Sequence, residues 1–476
     1  MIKLIVNILY NFQVCFKRKE TFLWFVLIVF GMLLRDNQRG VSSIIGTLGL
    51  NPDCYELIIH FFRSKAYDLK ILKLNWIEIA IKNIKPAKIN GRILLVGDHI
   101  KVMKEAKYMP GVKKHHQESE NVSKPEYIFG HQFGMIGMLS ESSTTQCIPL
   151  DIEMHDGMVE KNSFCAKDTK EKDNCIAKII KMVEKIVKTT NSDVILILDA
   201  YFSNQTAFKT TEEINRSLKS EKISLIMRGK SNTVGFTKKD NPTKRKKGRP
   251  RKYGDKVILK KLFENNINDF SEVIIKLYGR CTNVKYLCID LLWKPVDGLV
   301  RFVLVDIKGK QTIFMSSNLS IDPVDVVTVY SKRFKIEVSF KMLKHTLGGF
   351  FYHFWTKSMP KISKYQTQSD YSIIKDRKDQ EKILKTIRAI EVYTFINCIT
   401  LGILMIIAIN HTEEVWVKYS GWLRTRSSYI PSPDTVKNVL QKELIWNYHK
   451  VSNYAILRKM KKYKYQDYEK IYQIPS

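Results

Sequence analysis

The stretch VYSKRFKIEVSFKMLK, residues 329–344, holds one acidic side chain, Glu337, among five basic ones. A helix turns by about 100° per residue, so a helical form of this stretch would place Glu337 on one face with four other residues. These four are Tyr330, Arg333, Lys341 and Lys344. Two roles are open for Glu337. It could form ordinary ion pairs with Arg333 and Lys341 on a surface helix, or it could bind a cation while the basic side chains bind phosphates.

The apolar residues of the same stretch flank the charged face on both sides. One flank consists of Ile336, Phe340 and Leu343, and the other of Phe334, Val338 and Met342. This pattern predicts a helix that is packed on both sides and leaves only its charged face open.

Two aspartates end short apolar runs. The run RILLVGDHI (92–100) is predicted to break at Asp98, and in SDVILILDAYF (192–202) five apolar residues precede Asp199. Such runs are typical of central strands buried on both faces. Either aspartate alone could be a structural residue that caps a loop. Together with Glu337 they form a set of carboxylates that could hold divalent cations through hard oxygen ligands, with the basic side chains on the phosphates of a nucleic-acid strand. Three other aspartates on strand-like runs are interpreted as structural or partnered: Asp151, Asp290 and Asp306.

The composition supports a nucleic-acid partner. The 476 residues include 79 Lys plus Arg and 47 Asp plus Glu, which gives a formal net charge of +32, and 44% of them are hydrophobic. The apolar content predicts a folded chain of two or three domains. A basic surplus of this size attracts polyanions, so nucleic acid is the first partner to expect and an anionic membrane surface the second.

The cysteines and the apolar runs indicate a cytoplasmic protein. The eight cysteines form no C-x-x-C motif and no zinc-like spacing with histidines, which predicts reduced thiols. Two apolar runs, residues 21–33 and 393–409, are short for a membrane span of about 20 residues and are predicted to be buried helices. The N-terminal apolar run is not followed by a small-residue cleavage site, so no signal peptide is predicted.

The order of the remaining patterns predicts an α/β fold. Residues before about 85 read as helical, and RGVSSIIGTLGLNPDCYELIIHFF (39–62) suggests two helices across a tight turn, with Ser42 or Ser43 as a possible N-cap. This pattern fits a DNA-binding helix-turn-helix, but any small helical domain would also produce it. Strand-like and helical runs then alternate from Gly91 onwards.

The site residues carry a family resemblance. Tyr330, Arg333, Glu337 and Lys344 satisfy Y-x2-R-x3-E-x6-K, the signature of bacterial DDE transposases of the insertion-sequence-4 type. LDAYF, residues 198–202, resembles the second-aspartate motif of that family, in which the acid is followed by a small residue and an aromatic one. The resemblance covers about residues 90 to 350.

The sequence patterns and the resemblance together imply a fold and a set of segments. The fold is α/β, with an RNase H-like catalytic core interrupted by a strand-rich insertion, and with helical N-terminal and C-terminal regions. The predicted segments are a helical N-terminal DNA-binding region (1–88), the first part of the core (89–230), the insertion with a basic loop (231–328), a core helix that carries the catalytic glutamate (329–355), and a linker with a helical C-terminal region (356–476).

The resemblance also implies residue roles. Asp98, Asp199 and Glu337 become the catalytic triad that binds two Mg²⁺ ions, with Mn²⁺ as a possible substitute, and Tyr330, Arg333 and Lys344 become contacts to the transposon-end backbone. The first motif departs from the family, because Gly97-Asp98-His99 stands where related enzymes often have paired acids.

Two further features point to DNA. KGRPR (247–251) resembles an AT-hook core, which predicts DNA contacts for Lys247, Arg249 and Arg251. Trp293 lies in the insertion, where related hairpin-forming enzymes stack a flipped base on a tryptophan. A core tryptophan is the alternative.

The resulting hypothesis is a DNA transposase that cleaves DNA and transfers strands at the ends of an insertion sequence. Its expected partners are double-stranded DNA, as transposon ends and target, and a second copy of the chain in a homodimeric synaptic complex, with no membrane involved. The alternatives are an RNase H-like nuclease without strand transfer and a catalytically inactive DNA-binding repressor of transposition.

Overall fold

A computed structural model describes residues 1–36, 40–104, 106–117, 125–164, 174–238, 252–361, 369–423, 428–446 and Tyr463. Its helices are α1 (Ile2–Tyr10), α2 (Lys19–Leu34), α3 (Ser42–Leu48), α4 (Cys54–Arg63), α5 (Leu69–Asn83), α6 (Cys175–Thr190), α7 (Gln205–Ser217), α8 (Leu259–Asn265), α9 (Pro323–Tyr330), α10 (Lys335–His345), α11 (Arg377–Asn410), α12 (Thr412–Lys418) and α13 (Pro433–Trp446). Its strands are β1 (Lys88–Ile89), β2 (Arg92–Met103), β3 (Lys113–His116), β4 (Tyr127–Leu139), β5 (Cys147–Asp156), β6 (Val194–Leu198), β7 (Ile223–Arg228), β8 (Val234–Phe236), β9 (Lys256–Ile258), β10 (Ser271–Leu277), β11 (Arg280–Trp293), β12 (Gly298–Ile307) and β13 (Lys310–Ser316).

These strands form one large mixed sheet. Its order is β3-β4-β2-β6-β7-β13-β12-β11-β8-β9, and β1, β5 and β10 pair with β2, β4 and β11. Neighbours β2, β6 and β7 run parallel, whereas the other paired strands are antiparallel. The five residues of β6 are all buried, as an apolar run between two parallel neighbours requires. The predicted mixed α/β class is therefore confirmed.

The two long apolar runs form helices buried inside the protein, as predicted. Helix α2 lies in the same hydrophobic core as the sheet. Helix α11 has 34 residues and is long and apolar enough to cross a membrane, but 94% of its most apolar window is buried in the protein. A Cβ atom on Gly402 of α11 would lie 2.1 Å from the Trp76 ring of α5, so these two helices approach closely. The terminal helices thus share one core with the sheet.

Helices α3 and α4 lie where two helices across a tight turn are predicted. Gly49 ends α3 in the left-handed conformation, with φ of 58°, which glycine adopts without steric cost. The predicted serine N-cap is wrong, because α3 begins at Ser42 after Val41 and has no side-chain cap. The Ser43 hydroxyl instead bonds to Gly40 and to Arg35, so tertiary contacts use it.

The single helix predicted over residues 329–344 is also wrong. Helix α9 ends at Tyr330, residues 331–334 form turns with bonds such as that from Arg333 N to Tyr330 O, and α10 begins at Lys335. These turns wind in the same right-handed sense as an α-helix. The helical spacing of the side chains therefore continues across residues 331–334 and does not reveal the break between the two helices. The flank of Ile336, Phe340 and Leu343 is buried, whereas in the other flank Phe334 and Val338 are 38% and 36% exposed and only Met342 packs against the core.

The predicted end of the first strand at Asp98 is wrong as well. Strand β2 continues to Met103, because its hydrogen bonds to β4 extend from Leu95 to Met103. Its parallel pairing with β6 ends at Val96. The apolar run marks only the part of the strand that has a neighbour on both sides.

A buried cluster of charges joins the N-terminal helices to the sheet. The Lys73 ammonium of α5 lies 2.6 Å from Asp151 and 2.8 Å from Glu153, and Lys185 of α6 contacts Glu153 at 2.5 Å. Burial raises the pKa of nearby Glu391 to about 7; the positive charge of Lys73 opposes this rise, and the carboxylates of Glu153 and Asp151 add to it.

The raised pKa of Glu391 leads us to expect that the folded protein loses stability as the pH rises. Its pKa in the folded protein lies above the ordinary value of about 4.3, so the folded state is favoured while Glu391 is protonated, and that advantage is lost as the pH rises through about 7. We expect the free energy of unfolding to be higher at pH 5 than at pH 8, by up to about 3 kcal/mol from this group. Denaturant titrations of the parent and of Glu391→Gln at both pH values measure the effect, and an equal pH dependence in the two proteins would contradict it.

Candidate active site

The register of two parallel strands brings Asp98 and Asp199 to one edge of the sheet. Val96 of β2 is the partner of Ile197 of β6, so Asp98 and Asp199 lie two positions beyond equivalent residues. Because equivalent positions of paired parallel strands lie side by side, Asp98 within β2 and Asp199 just after β6 become neighbours although they are 101 positions apart in the chain.

Asp98 is held on both sides of its carboxylate. One oxygen accepts a hydrogen bond from the main-chain N–H of His99 at 2.8 Å, and the other accepts one from Arg333 Nη1 at 3.1 Å. Burial raises the pKa of Asp98 to about 6; Arg333 and the His99 N–H oppose the shift, and the negative charges of Asp199 and Glu337 add to it. In this environment a further cation beside Arg333 would stabilise the ionised form of Asp98.

Asp199 begins a short 3-10 turn, residues Ala200–Phe202. Its side chain accepts a hydrogen bond from Ala200 N at 2.7 Å and another from the Tyr330 hydroxyl at 3.2 Å. Burial, together with the negative charge of Asp199, raises the pKa of Tyr330 well above its usual range, so this hydroxyl stays a donor. The last residue of α9 therefore orients the second aspartate.

Arg333 connects all three carboxylates. Beyond its bond to Asp98, its Nη2 atom lies 2.5 Å from Glu337 Oε1 and 3.9 Å from Asp199 Oδ2. The guanidinium side chain is 14% exposed, whereas the Glu337 side chain is 57% exposed. The ion pair between Arg333 and Glu337 is the one expected of an ordinary surface helix, but such a pair does not explain the two aspartates at the same guanidinium.

The other predicted site residues lie elsewhere or outside the described residues. Lys344 is exposed in the last turn of α10, and the described contacts include none between it and the three carboxylates. Trp293 is 7% exposed and packs against Phe208 with ring centroids 5.3 Å apart, so it lies in the core. Three residues of the basic loop fall outside the described residues: Lys247, Arg249 and Arg251.

The rival aspartates all have partners. Asp151 pairs with Lys73, Asp290 accepts two hydrogen bonds from Arg301 at 2.9 Å, and Asp306 accepts one from Gly309 N at 2.7 Å. None of the three contacts Arg333 in the part of the chain that the structure describes.

Comparison with protein families identifies the kind of protein that carries this arrangement. The sequence pattern of the DDE superfamily endonucleases matches residues 11–265, more than half of the chain. The chain belongs to the DDE superfamily endonuclease family. No curated protein matches the chain. The endonuclease is therefore a phosphodiester-cleaving enzyme of the DDE transposase type that acts on DNA. The match includes Asp98 and Asp199 but ends before Glu337, so the assignment of the third carboxylate depends on the sequence signature and on the geometry.

DDE endonucleases generally use divalent metals, and the donor set of this endonuclease fits such an ion. Asp98, Asp199 and Glu337 supply the hard oxygen ligands that Mg²⁺ and Mn²⁺ prefer. As the side chains stand, no group of three or more His, Cys, Asp or Glu within the described ranges is arranged to hold an ion. The Arg333 guanidinium lies beside all three carboxylates instead.

The endonuclease site has neighbours that the sequence analysis missed. His99 Nε2 lies 2.9 Å from His155 Nδ1. Burial lowers the pKa of His99 to about 4 and the pKa of His155 well below its usual value, so both rings are neutral at pH 7. His155 and Tyr201 line a cavity of about 820 Å³. The sequence signal for this pair is limited to the position of His99 directly after Asp98.

Basic side chains from distant parts of the chain bond to the residues that follow helix α10. Arg35 donates to Leu347 O, Lys437 Nζ donates to Thr346 O at 2.9 Å, and Lys104 Nζ donates to Tyr352 O at 3.1 Å. Carbonyl groups at a helix C-terminus carry partial negative charge and favour such partners. The segment that follows the Glu337 helix is thereby fixed to Arg35 just after α2, to Lys104 just after β2, and to α13.

Proposed function

We propose that this endonuclease is a transposase of the insertion-sequence-4 type, which cuts DNA at the ends of its own element and joins those ends to a target. The observation that carries the proposal is the convergence of Asp98, Asp199 and Glu337 on Arg333. Three members of the Y-x2-R-x3-E-x6-K signature take part: Tyr330, Arg333 and Glu337.

The three carboxylates would hold two Mg²⁺ ions, or Mn²⁺ as a substitute. When bound, the ions supply activation of the attacking oxygen and charge stabilisation at the phosphate. Tyr330 keeps Asp199 oriented, and the exposed Lys344 donates to the phosphates of the element end. No covalent bond between enzyme and DNA is required.

The sheet order supports an RNase H-like core. Strands β5, β4 and β2 pair antiparallel, and β2, β6 and β7 follow in parallel. We assign residues 89–230 and 329–355 to this core and residues 231–328 to the insertion, whose strands β10–β13 extend the same sheet beyond β7. Residues 1–88 are assigned to a DNA-binding region, and residues 356–476 to a linker and helical C-terminal region.

Several parts of the proposal stay predictions. They are the homodimeric synaptic complex, the cytoplasmic location, and DNA contacts by Trp293, Lys247, Arg249 and Arg251. A base could stack on Trp293 only if its packing against Phe208 opened.

A strand-transfer assay tests the function. The DNA that flanks the gene is expected to contain terminal inverted repeats bounded by a short direct duplication. A labelled duplex with one such repeat is incubated with the full chain, a supercoiled plasmid and Mg²⁺. We expect covalent joining of the labelled 3′ end to the plasmid. Cleavage without joining would instead indicate a nuclease, and binding without cleavage a repressor.

A further inference from the structure

The guanidinium of Arg333 lies where a metal ion would be expected. It is within 3.1 Å of Asp98, 2.5 Å of Glu337 and 3.9 Å of Asp199, although these residues come from a strand, a helix and a turn. Three carboxylates without a cation repel one another. An arginine offers five N–H donors in a planar fork, so one side chain can serve several oxygens.

We propose that Arg333 substitutes for the divalent cation in the metal-free protein, and that metal binding displaces it toward the DNA backbone. The inference rests on the proposed function, because it takes the three carboxylates as metal ligands. It adds a second role to a residue that the signature assigns only to DNA. The displaced guanidinium fork fits two oxygens of a phosphate group.

The local structure allows this exchange. Arg333 belongs to the turn between α9 and α10, and its partner Glu337 is more than half exposed, so a change of side-chain rotamer moves the charge without moving a helix. The two aspartates keep other hydrogen-bond donors when the Arg333 guanidinium moves away. Asp98 retains the His99 N–H, and Asp199 retains Ala200 N and the Tyr330 hydroxyl. The ligands would therefore stay in place for the ion.

The two cations compete for the same oxygens, which gives a measurable coupling. A protein that lacks the charge at position 333 binds metal more tightly, since the ion no longer displaces a bound cation. By linkage, metal binding favours the DNA-bound position of Arg333 to the same extent. We expect a change in metal affinity on the order of tenfold.

The test is a Mn²⁺ titration of the DNA-free full chain, followed by electron paramagnetic resonance of the free ion. Arg333→Gln is expected to bind Mn²⁺ on the order of tenfold more tightly than the parent. Arg333→Lys keeps the charge but loses the planar fork, so it is expected to bind Mn²⁺ more tightly than the parent and less tightly than Arg333→Gln. Lys344→Gln is the matched control, because it removes one positive charge from the same signature at an exposed position. Its Mn²⁺ affinity is expected to stay close to that of the parent, since solvent and salt screen that charge.

Thermal melting separates this role from a purely structural one. Arg333→Gln is expected to melt below the parent without metal, and saturating Mn²⁺ is expected to close the gap. Equal or weaker Mn²⁺ binding by Arg333→Gln, with binding lost in Glu337→Gln, would overturn the inference and leave the proposed function intact. If the parent and Glu337→Gln bound Mn²⁺ alike, or neither bound it, the metal site itself would be misassigned and the proposed function would fail together with the inference.

Discussion

Replacing any one of Asp98, Asp199 and Glu337 by its amide is expected to lower the rate of DNA cleavage by at least about a thousandfold, because residues that act as a unit lose their function together. The sequence separates these residues by 101 and 138 positions, and only the strand register and helix α10 bring them to one guanidinium. The measurement is nicking of supercoiled plasmid in Mg²⁺ and in Mn²⁺.

The exposed ion pair of Glu212 and Arg216 on α7 provides the control for this experiment. Both side chains are more than 60% exposed, and the described contacts include none between them and the site residues, so Glu212→Gln is expected to nick DNA like the parent. Melting without metal at pH 8 checks the folded state. Asp98→Asn is expected to melt at or above the parent, because its raised pKa means that the ionised form is disfavoured in the folded protein above pH 6. Cleavage near the parent rate by Asp98→Asn would show that another residue supplies the first ligand.

Replacing Arg35 by methionine is expected to lower the free energy of unfolding by at least about 3 kcal/mol, since it removes several buried hydrogen bonds made by a charged donor. Arg35 is 1% exposed and donates to Gly40 O, Leu347 O and the Tyr393 hydroxyl. Methionine keeps most of the aliphatic volume, so the loss reports mainly on hydrogen bonds. The measurement is denaturant unfolding.

Arg216→Met is the matched control for Arg35→Met. Arg216 contacts only an exposed glutamate four residues away among its described partners, so its loss is expected to change the free energy of unfolding by less than about 0.5 kcal/mol. Equal losses for the two variants would mean that Arg35 does not hold the segment that follows α10.

Much of the fold follows from local sequence patterns. The apolar runs before Asp98 and Asp199 predict two buried strands, because a strand between parallel neighbours needs apolar residues on both faces. The amphipathic pattern of residues 175–190 predicts helix α6, which begins at the Asn174 cap. Strands β10–β13 likewise lie within residues 231–328, for which a strand-rich segment is predicted.

The arrangement around Arg333 could not be predicted from these patterns. A helical wheel places Arg333 beside Glu337, but its contacts to Asp98 and Asp199 depend on how α9 and α10 meet the edge of the sheet. The spacing of apolar residues carries no information on how α9 and α10 are oriented against the sheet. The same spacing also hides the turn at residues 331–334. The role of Arg35 is equally invisible, because its partner Leu347 is 312 residues away.

The most direct test of the central claim is a crystal of the metal-free protein soaked in Mn²⁺ and measured at the manganese absorption edge. We expect an anomalous peak bounded by the carboxylates of Asp98, Asp199 and Glu337, with the Arg333 guanidinium moved out of its present position beside them. A saturating soak that leaves Arg333 in place and gives no peak at these carboxylates would contradict the claim that they form the catalytic metal site.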